Sequence, residues 1–147
     1  MSVPPAHGNE YVPVVAWAIE RLMAHPTLEG LVVHRRPVPE DAAAKHLTYQ
    51  YMASIDANTP TGGYRVLSYV RLQITARAES ESLEDVQAEA DAIDEALQDQ
   101  GGIDPSGLYV CHALRVRVAQ PEQDPTAGGR RWTELGGVYE IQAHRIA

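Results

Sequence analysis

Between residues 64 and 97 the chain changes its hydrophobic period once, and that switch constrains the fold more than any other feature. In YRVLSYVRLQITAR the even positions Val66, Val70, Leu72, Ile74 and Ala76 are apolar, and Arg71, Gln73, Thr75 and Arg77 hold the odd ones. Successive side chains on a strand point to opposite faces, so residues 64–77 read as one long strand with a single buried face. Immediately afterwards Leu83, Val86, Ala90, Ile93 and Leu97 recur at three- and four-residue spacing, the mark of a helix with one apolar stripe. Ser82 followed three residues later by Asp85 fits a capping box, and Gly101-Gly102 supplies a stop. About 19 residues at 1.5 Å each give a rod of roughly 28 Å.

The flanking segments extend this pattern. Val14, Trp17, Ala18 and Leu22 share one face of a helix expected over 10–25, with Pro13 tolerated in its first turn and Pro26 and Gly30 ending it. Residues 31–38 are Val-rich and strand-like, with Pro37 and Pro39 marking an end or an edge. Tyr49, Tyr51, Ala53 and Ile55 alternate with polar neighbours, and 54–63 (SIDANTPTGG) carries turn chemistry. Val110, His112, Leu114, Val116 and Val118 are expected on the core face of a further strand, with Arg115 and Arg117 opposite. A last strand over 138–146 places Tyr139, Ile141 and Ala143 inward, and 120–131 (QPEQDPTAGGRR) reads as a long polar loop. The order is α-β-β-β-α-β-β. It predicts an α+β single domain over 10–147, a mixed or antiparallel β-sheet with two helices packed on one face, behind a flexible leader over 1–9.

Composition narrows the chemistry. A chain of 147 residues suits one domain and one core. Cys111 is the single cysteine, so neither an internal disulfide nor a cysteine-based zinc site forms, and a reducing compartment is expected. No apolar run approaches the roughly 18 residues that span a bilayer, and the first ten residues lack the basic and apolar blocks of a signal peptide. The net charge of −8 argues against general nucleic-acid binding, which needs clustered Lys and Arg, and Lys45 is the only lysine.

No enzyme signature emerges. The glycine pairs fit neither a phosphate loop nor a dinucleotide fold and sit where turns belong. None of the six histidines shows the helical spacing of zinc proteases. His34, His112 and His144 all fall on strands, but an inward His112 reads best as a hydrogen-bonded packing residue. Cys111 and His112, adjacent on a strand, point apart and make a poor nucleophile pair. No catalytic, metal or cofactor-binding residue is therefore assigned.

What stands out is charge placement. Glu79, Glu81, Glu84, Asp85, Glu89, Asp91, Asp94, Glu95 and Asp99 gather on and around the second helix. A solvated outer face is the plain account, with the early acids favouring the helix N-terminus. Arg71, Arg77, Arg115 and Arg117 share the polar sheet face if the alternation holds, and Arg130 and Arg131 close the long loop. An acidic flank and a basic flank on one subunit allow head-to-tail contacts, which close into rings. The expected partner surface comprises Asp91, Asp94 and Glu95, the four sheet arginines with Arg130 and Arg131, and the loop residues Asp56, Asn58, Thr59, Gln123 and Asp124.

The segments YVPVVAWAIERLMAHPTLEGLVVHRRPVP and YRVLSYVRLQITARAESESLEDVQAEADAIDEAL carry a likeness to a known family. In its order of elements the chain resembles the tail terminator, or tail completion, proteins of long-tailed bacteriophages, over roughly residues 10–147. The resemblance implies a homo-hexameric ring on the finished tail tube, in the neck of a virion assembled in the host cytoplasm. Such a ring stops tube polymerisation and presents a docking surface to the head connector or stopper protein. DNA would pass its lumen without specific binding, and no cofactor or membrane is involved. The loops at 54–63 and 120–131 are natural contact arms for such a ring, lying at opposite ends of the sheet if the central strands are parallel. Two alternatives stay open: another head–tail joining protein, such as a head-closure or connector adaptor, and a small ligand-binding or enzymatic domain of ferredoxin-like type.

Overall fold

The computed structural model describes residues 11–58, 65–118, 122–124 and 131–146; the leader expected at 1–9 lies outside them. Helix α1 (Tyr11–Met23) is followed by β1 (Val33–Arg35), β2 (Lys45–Asn58) and β3 (Arg65–Glu79). Helix α2 (Glu84–Leu97), β4 (Gln100–Ile103), β5 (Tyr109–Val118), β6 (Glu122–Asp124) and β7 (Trp132–Arg145) complete the chain. The seven strands form one mixed sheet in the order β1-β2-β3-β7-β5-β4, with β6 pairing β7 beside that path. Among the described residues only β1 runs parallel to its neighbour; the other described ladders are antiparallel. The protein is therefore α+β, as its hydrophobic periods predict.

The buried face of the sheet follows the alternation in β3 and β7. Val70, Leu72, Ile74 and Ala76 are buried beside Tyr139, Ile141 and Ala143. Leu72 lies opposite Tyr139 and Val70 opposite Ile141, so these residues share one face. Against it pack Val14, Trp17, Ala18 and Leu22 of α1, and Val86, Ile93, Ala96 and Leu97 of α2. Arg21 ties the helices to the sheet, donating from Nε to the Ala96 carbonyl (3.3 Å) and from Nη2 to Gln100 Oε1 (2.9 Å).

Six expectations are corrected. On β5 the core residues are Tyr109, Cys111 and Ala113, while Val110, Leu114, Val116 and Val118 are exposed and His112 is half-buried. The reason is space: α1 lies close over this end of the sheet, where a Cβ added to Gly102 would stand 2.9 Å from Trp17 Nε1. Small Cys111 and Ala113 fit beneath a helix at that distance; Leu114 and Val116 do not. Residues 54–58 belong to β2 rather than to a turn, and 59–63 lie outside the described residues. The segment 31–38 pairs only over Val33–Arg35.

The helix ends also differ. Leu83 sits at the N-cap of α2 without a side-chain cap and is exposed. Instead Ser82 Oγ accepts from the Glu84 N–H at 3.2 Å, and Ser80 Oγ donates to Asp85. The helix stops at Leu97, before the glycine pair, through Asp99 at φ 56°. Gly101 and Gly102 are strand residues of β4, and β6 occupies part of the expected 120–131 loop. Both are short strands, and a four-residue QGGI or a three-residue EQD shows no alternation to read.

Two local devices hold this frame. Asp104 ends β4: its Oδ1 accepts from the Leu108 and Tyr109 N–H groups at 3.0 and 2.7 Å, and its Oδ2 from Ser106 N–H at 2.8 Å. Burial pulls the Asp104 pKa up, but hydrogen bonds from the Ser106 hydroxyl and the three backbone N–H groups outweigh it, and the net shift is downward. In the centre, β7 passes so near β3 that a Cβ on Gly136 would lie 2.1 Å from the Ile74 carbonyl oxygen.

Two outcomes follow. Gly136→Ala meets backbone that cannot swing aside and should cost about 3 kcal/mol, whereas Gly30→Ala, at φ 86° with nothing within 4 Å, should cost about 1; urea unfolding measures both. A carboxylate with a lowered folded pKa stabilises fully above the unfolded value of about 3.9 and loses that contribution as pH falls through the folded one. Asp104→Asn should therefore be less stable than the parent at pH 6, and the gap should narrow as pH drops below about 4.

Candidate functional site

Nucleophilic chemistry is poorly served by this fold. Burial, with the Asp104 carboxylate adding to it, pushes the Cys111 thiol up to about 12. His112 points away from it to Asp99, Nε2 to Oδ1 2.9 Å, rather than into the core. His25 meets Glu95 at 2.7 Å, and His46 stacks edge-on between His34 and Trp132 with centroids 5.2 and 5.1 Å away. Among the described residues no group of three His, Cys, Asp or Glu side chains is placed to hold a metal ion.

The second face of the sheet carries a buried polar cluster instead. His46, Thr48, Thr75, Arg77, Trp132 and Glu134 are all buried there. Arg36 reaches Glu134, Thr75 Oγ1 donates to the same carboxylate at 3.2 Å, and the Thr48 and Thr75 hydroxyls meet at 2.6 Å. Arg77 lies over the Trp132 ring, 4.7 Å from its centroid. Sequence alternation placed Arg77 on the correct face but as a partner-binding cation; it is a core residue of this second layer. The signal that marks it is the pairing of Arg77 with Glu134 and His46 across the ladders, which is set by register and is invisible in one strand's sequence.

The acidic helix residues line a cleft of about 430 Å³ between α2 and the β5–β7 ladder. Asp91, Asp94 and Glu95 form its rim, Val118, Leu135 and Gly136 add to its lining, and Arg115 and Tyr139 enter from the sheet. Asp94 Oδ1 accepts from the Tyr139 hydroxyl at 3.1 Å and faces Arg115 Nη1 at 3.3 Å. Burial raises the Tyr139 pKa, the Asp94 carboxylate and its hydrogen bond raise it further, and Arg115 opposes them, so the phenol stays protonated. Arg115 thus lies on the helix side of the sheet, not beside Arg71 as expected, and its charge is met within its own chain.

The other expected contact residues divide further. Arg71 sits on the open face, paired with Glu140 at 2.9 Å, and Arg117 is exposed opposite Val138. Between Arg115 and Arg117 a bulge shifts the register, which separates these two arginines onto different faces. Arg131 pairs with Glu81 at 2.9 Å, and Gln87 donates to Asp91 at 2.9 Å. The backbones of Asp56 and Asn58 lie at the far end of β2, and those of Gln123 and Asp124 in β6; Thr59 and Arg130 lie outside the described residues.

Eight of the exposed apolar side chains lie toward the two lateral ends of the sheet, while Val12, Leu83, Leu108 and Ile146 are exposed elsewhere. At one end are Ile103, Val110, Leu114, Val116 and Val118, and at the other Val32, Tyr51 and Met52, each more than two-fifths exposed. The open face between them is polar, with Arg71, Gln142 and His144 exposed. No described helix is long and apolar enough to cross a membrane.

Comparison with known proteins adds one finding. The family model described as Tail completion protein gp17 matches residues 19–133. No curated protein matches the chain.

The two arginine pairs should separate cleanly on mutation. Glu134→Ala removes a carboxylate buried against Arg36 and Thr75 and should cost about 3 kcal/mol or more. Arg71→Ala breaks an exposed pair and should change stability by about 1 kcal/mol or less in the same unfolding experiment.

Proposed function

Because the chain belongs to the tail completion protein gp17 family of phages, we propose that it is the tail terminator: a ring-forming subunit that caps the tail tube, stops its polymerisation and presents the docking surface for the head connector. The match to that family over residues 19–133, which runs from the last turns of α1 through α2 and strands β1 to β6 to the start of β7, is the observation that carries this reading.

The geometry supports it in two ways. A terminator must bind a tube end on one side and offer something different on the other. The strand ends that flank 59–64 and 119–131 lie at opposite ends of the sheet: Leu67 is opposite His144 near the end of β7, whereas Glu79 is opposite Trp132 at its start. The β2–β3 connection and the β5–β7 connection therefore leave from opposite poles of the subunit, one toward the tube and one toward the head. A ring must also join unlike surfaces of identical copies, and eight of the exposed apolar side chains lie toward two unlike lateral ends. The abundance of acidic side chains, 20 Asp and Glu against 12 Lys and Arg, suits a channel through which DNA slides without adhering.

Light scattering over a wide concentration range is the first test. The subunit is 16.1 kDa, so six copies have a mass of about 97 kDa. The expected result is that species, either free or on incubation with isolated tail tubes, which it should cap and stop from growing. Binding to DNA-filled heads but not to tubes would identify the protein as a head-closure or adaptor component instead.

A further inference from the structure

The sheet is a staircase, and its two steps are complementary. The positions of β7 serve as levels along the strand direction. At the levels of Ile141 to His144 the sheet reads β2-β3-β7-β5-β4, because β4 pairs with Val110 to Ala113 of β5. At the levels of Leu135 to Gly137 it reads β1-β2-β3-β7, with β1 opposite Leu47 to Tyr49 and Val118 closing the far side opposite Gly137. β4 therefore projects at one side in the upper half, and β1 projects at the other side in the lower half. Where β4 projects, the outer edge of β2 from Ala53 to Asn58 carries no described strand. Where β1 projects, the outer edge of β5 from Val116 to Val118 carries none either.

We propose that these ends interlock between copies: β4 of one copy lies along the Ala53–Asn58 edge of β2 of the next, whose β1 abuts the first copy's β5 around Val118. This rests on the ring reading above and specifies its joint. The two projecting strands then occupy a single column between β5 and β2. They do so without collision, since β1 lies at the levels of Leu135 to Gly137 and β4 at those of Ile141 to His144. Both run in the same direction as β2, so the column has one sense along its length. In the interval between them lie Leu114 and Val116 from one side and Tyr51 and Met52 from the other, the exposed apolar residues at that height.

Edges that stay single are normally blunted by charge or proline. β4, QGGI, has neither, and its last residue Ile103 is 56% exposed. An open edge without such protection is a template for another strand. The contact is heterologous, each copy having one end of each kind, so it propagates head to tail and closes when the rotation per copy allows.

The test is covalent capture of the joint. Ile103 and Ala57 share the level of His144 on opposite sides of the sheet, four strand spacings or roughly 19 Å apart within one copy. That is too far for a disulfide or a short bifunctional maleimide to join them internally. The Ile103→Cys, Ala57→Cys double variant should therefore yield a covalent ladder ending at the ring's copy number. Mixing the two single variants should yield dimers and nothing larger. In parallel, Ile103→Lys should weaken assembly at least tenfold by light scattering, and Gln142→Lys, in the middle of the open face, should leave it unchanged. Melting curves like the parent's confirm that the variants fold. A ring that forms but neither cross-links nor responds to Ile103→Lys would overturn this joint and leave the terminator reading intact. A chain that assembles neither in solution nor on tube ends would overturn both.

Discussion

The ladder of β7 with β3 and β5 is the constraint on which the rest depends. The last strand in the chain is a central strand of the sheet, bonded along Trp132 to His144 on one side and from Gly137 to Arg145 on the other. Without it the β1–β2–β3 unit and the β4–β5 hairpin share no ladder, and α1 and α2 have no continuous floor. Its residues serve both layers: Tyr139, Ile141 and Ala143 enter the helix-side core, while Trp132 and Glu134 enter the polar layer on the reverse. Gly136 permits that double duty by letting β7 approach β3 more closely than any side chain would allow. Contacts so distant in sequence form late and make folding slow relative to a helical protein of this size.

How much of this was legible in the sequence depended on element length. Helix α2, strand β3 and strand β7 are long enough to repeat their period several times, and their helix-side faces follow it at Val86, Ile93 and Leu97, at Val70 to Ala76 and at Tyr139 to Ala143; Leu83 is exposed instead, and the second buried layer at Thr75 and Arg77 leaves no periodic mark. β5 buries the face opposite to the expected one because both of its faces carry small or branched apolar residues. Alternation then shows that a strand exists but not which side is inward. The deciding quantity, the closeness of α1, resides in Trp17 and Gly102, which are far from β5 in sequence. Short β4 and β6 carry no period to read, and the start of α2 departs from a capping box because Leu83, which has no capping side chain, stands at its N-cap while Ser82 and Ser80 bond Glu84 and Asp85.

The candidate contact residues show a related limit. Charge was visible in the sequence, but not where it is already answered. Lys45 reaches buried Glu89 at 2.7 Å, Arg115 faces Asp94, Arg36 meets Glu134, and Arg77 covers Trp132. Much of the basic charge is thus used to fasten helices and straps to the sheet, and an acidic-flank-to-basic-flank contact loses several of its proposed members. What remains outward at the sides is apolar side chain and open backbone. These specify a partner by strand direction and height, and are less sensitive to salt than matched charges would be.

One quiet feature bears on life outside the cell. The single thiol, Cys111, is fully buried under α1 and held far from ionising. Under the proposed function the protein is made where glutathione keeps cysteines reduced and then works in air-equilibrated water. An assembly packed from many identical copies would be cemented or cracked by stray oxidation if each displayed a reactive sulfur. Here the passage from one redox environment to the other finds no exposed sulfur on Cys111 to act upon, so the particle's covalent structure at this protein is the same on both sides of the host envelope.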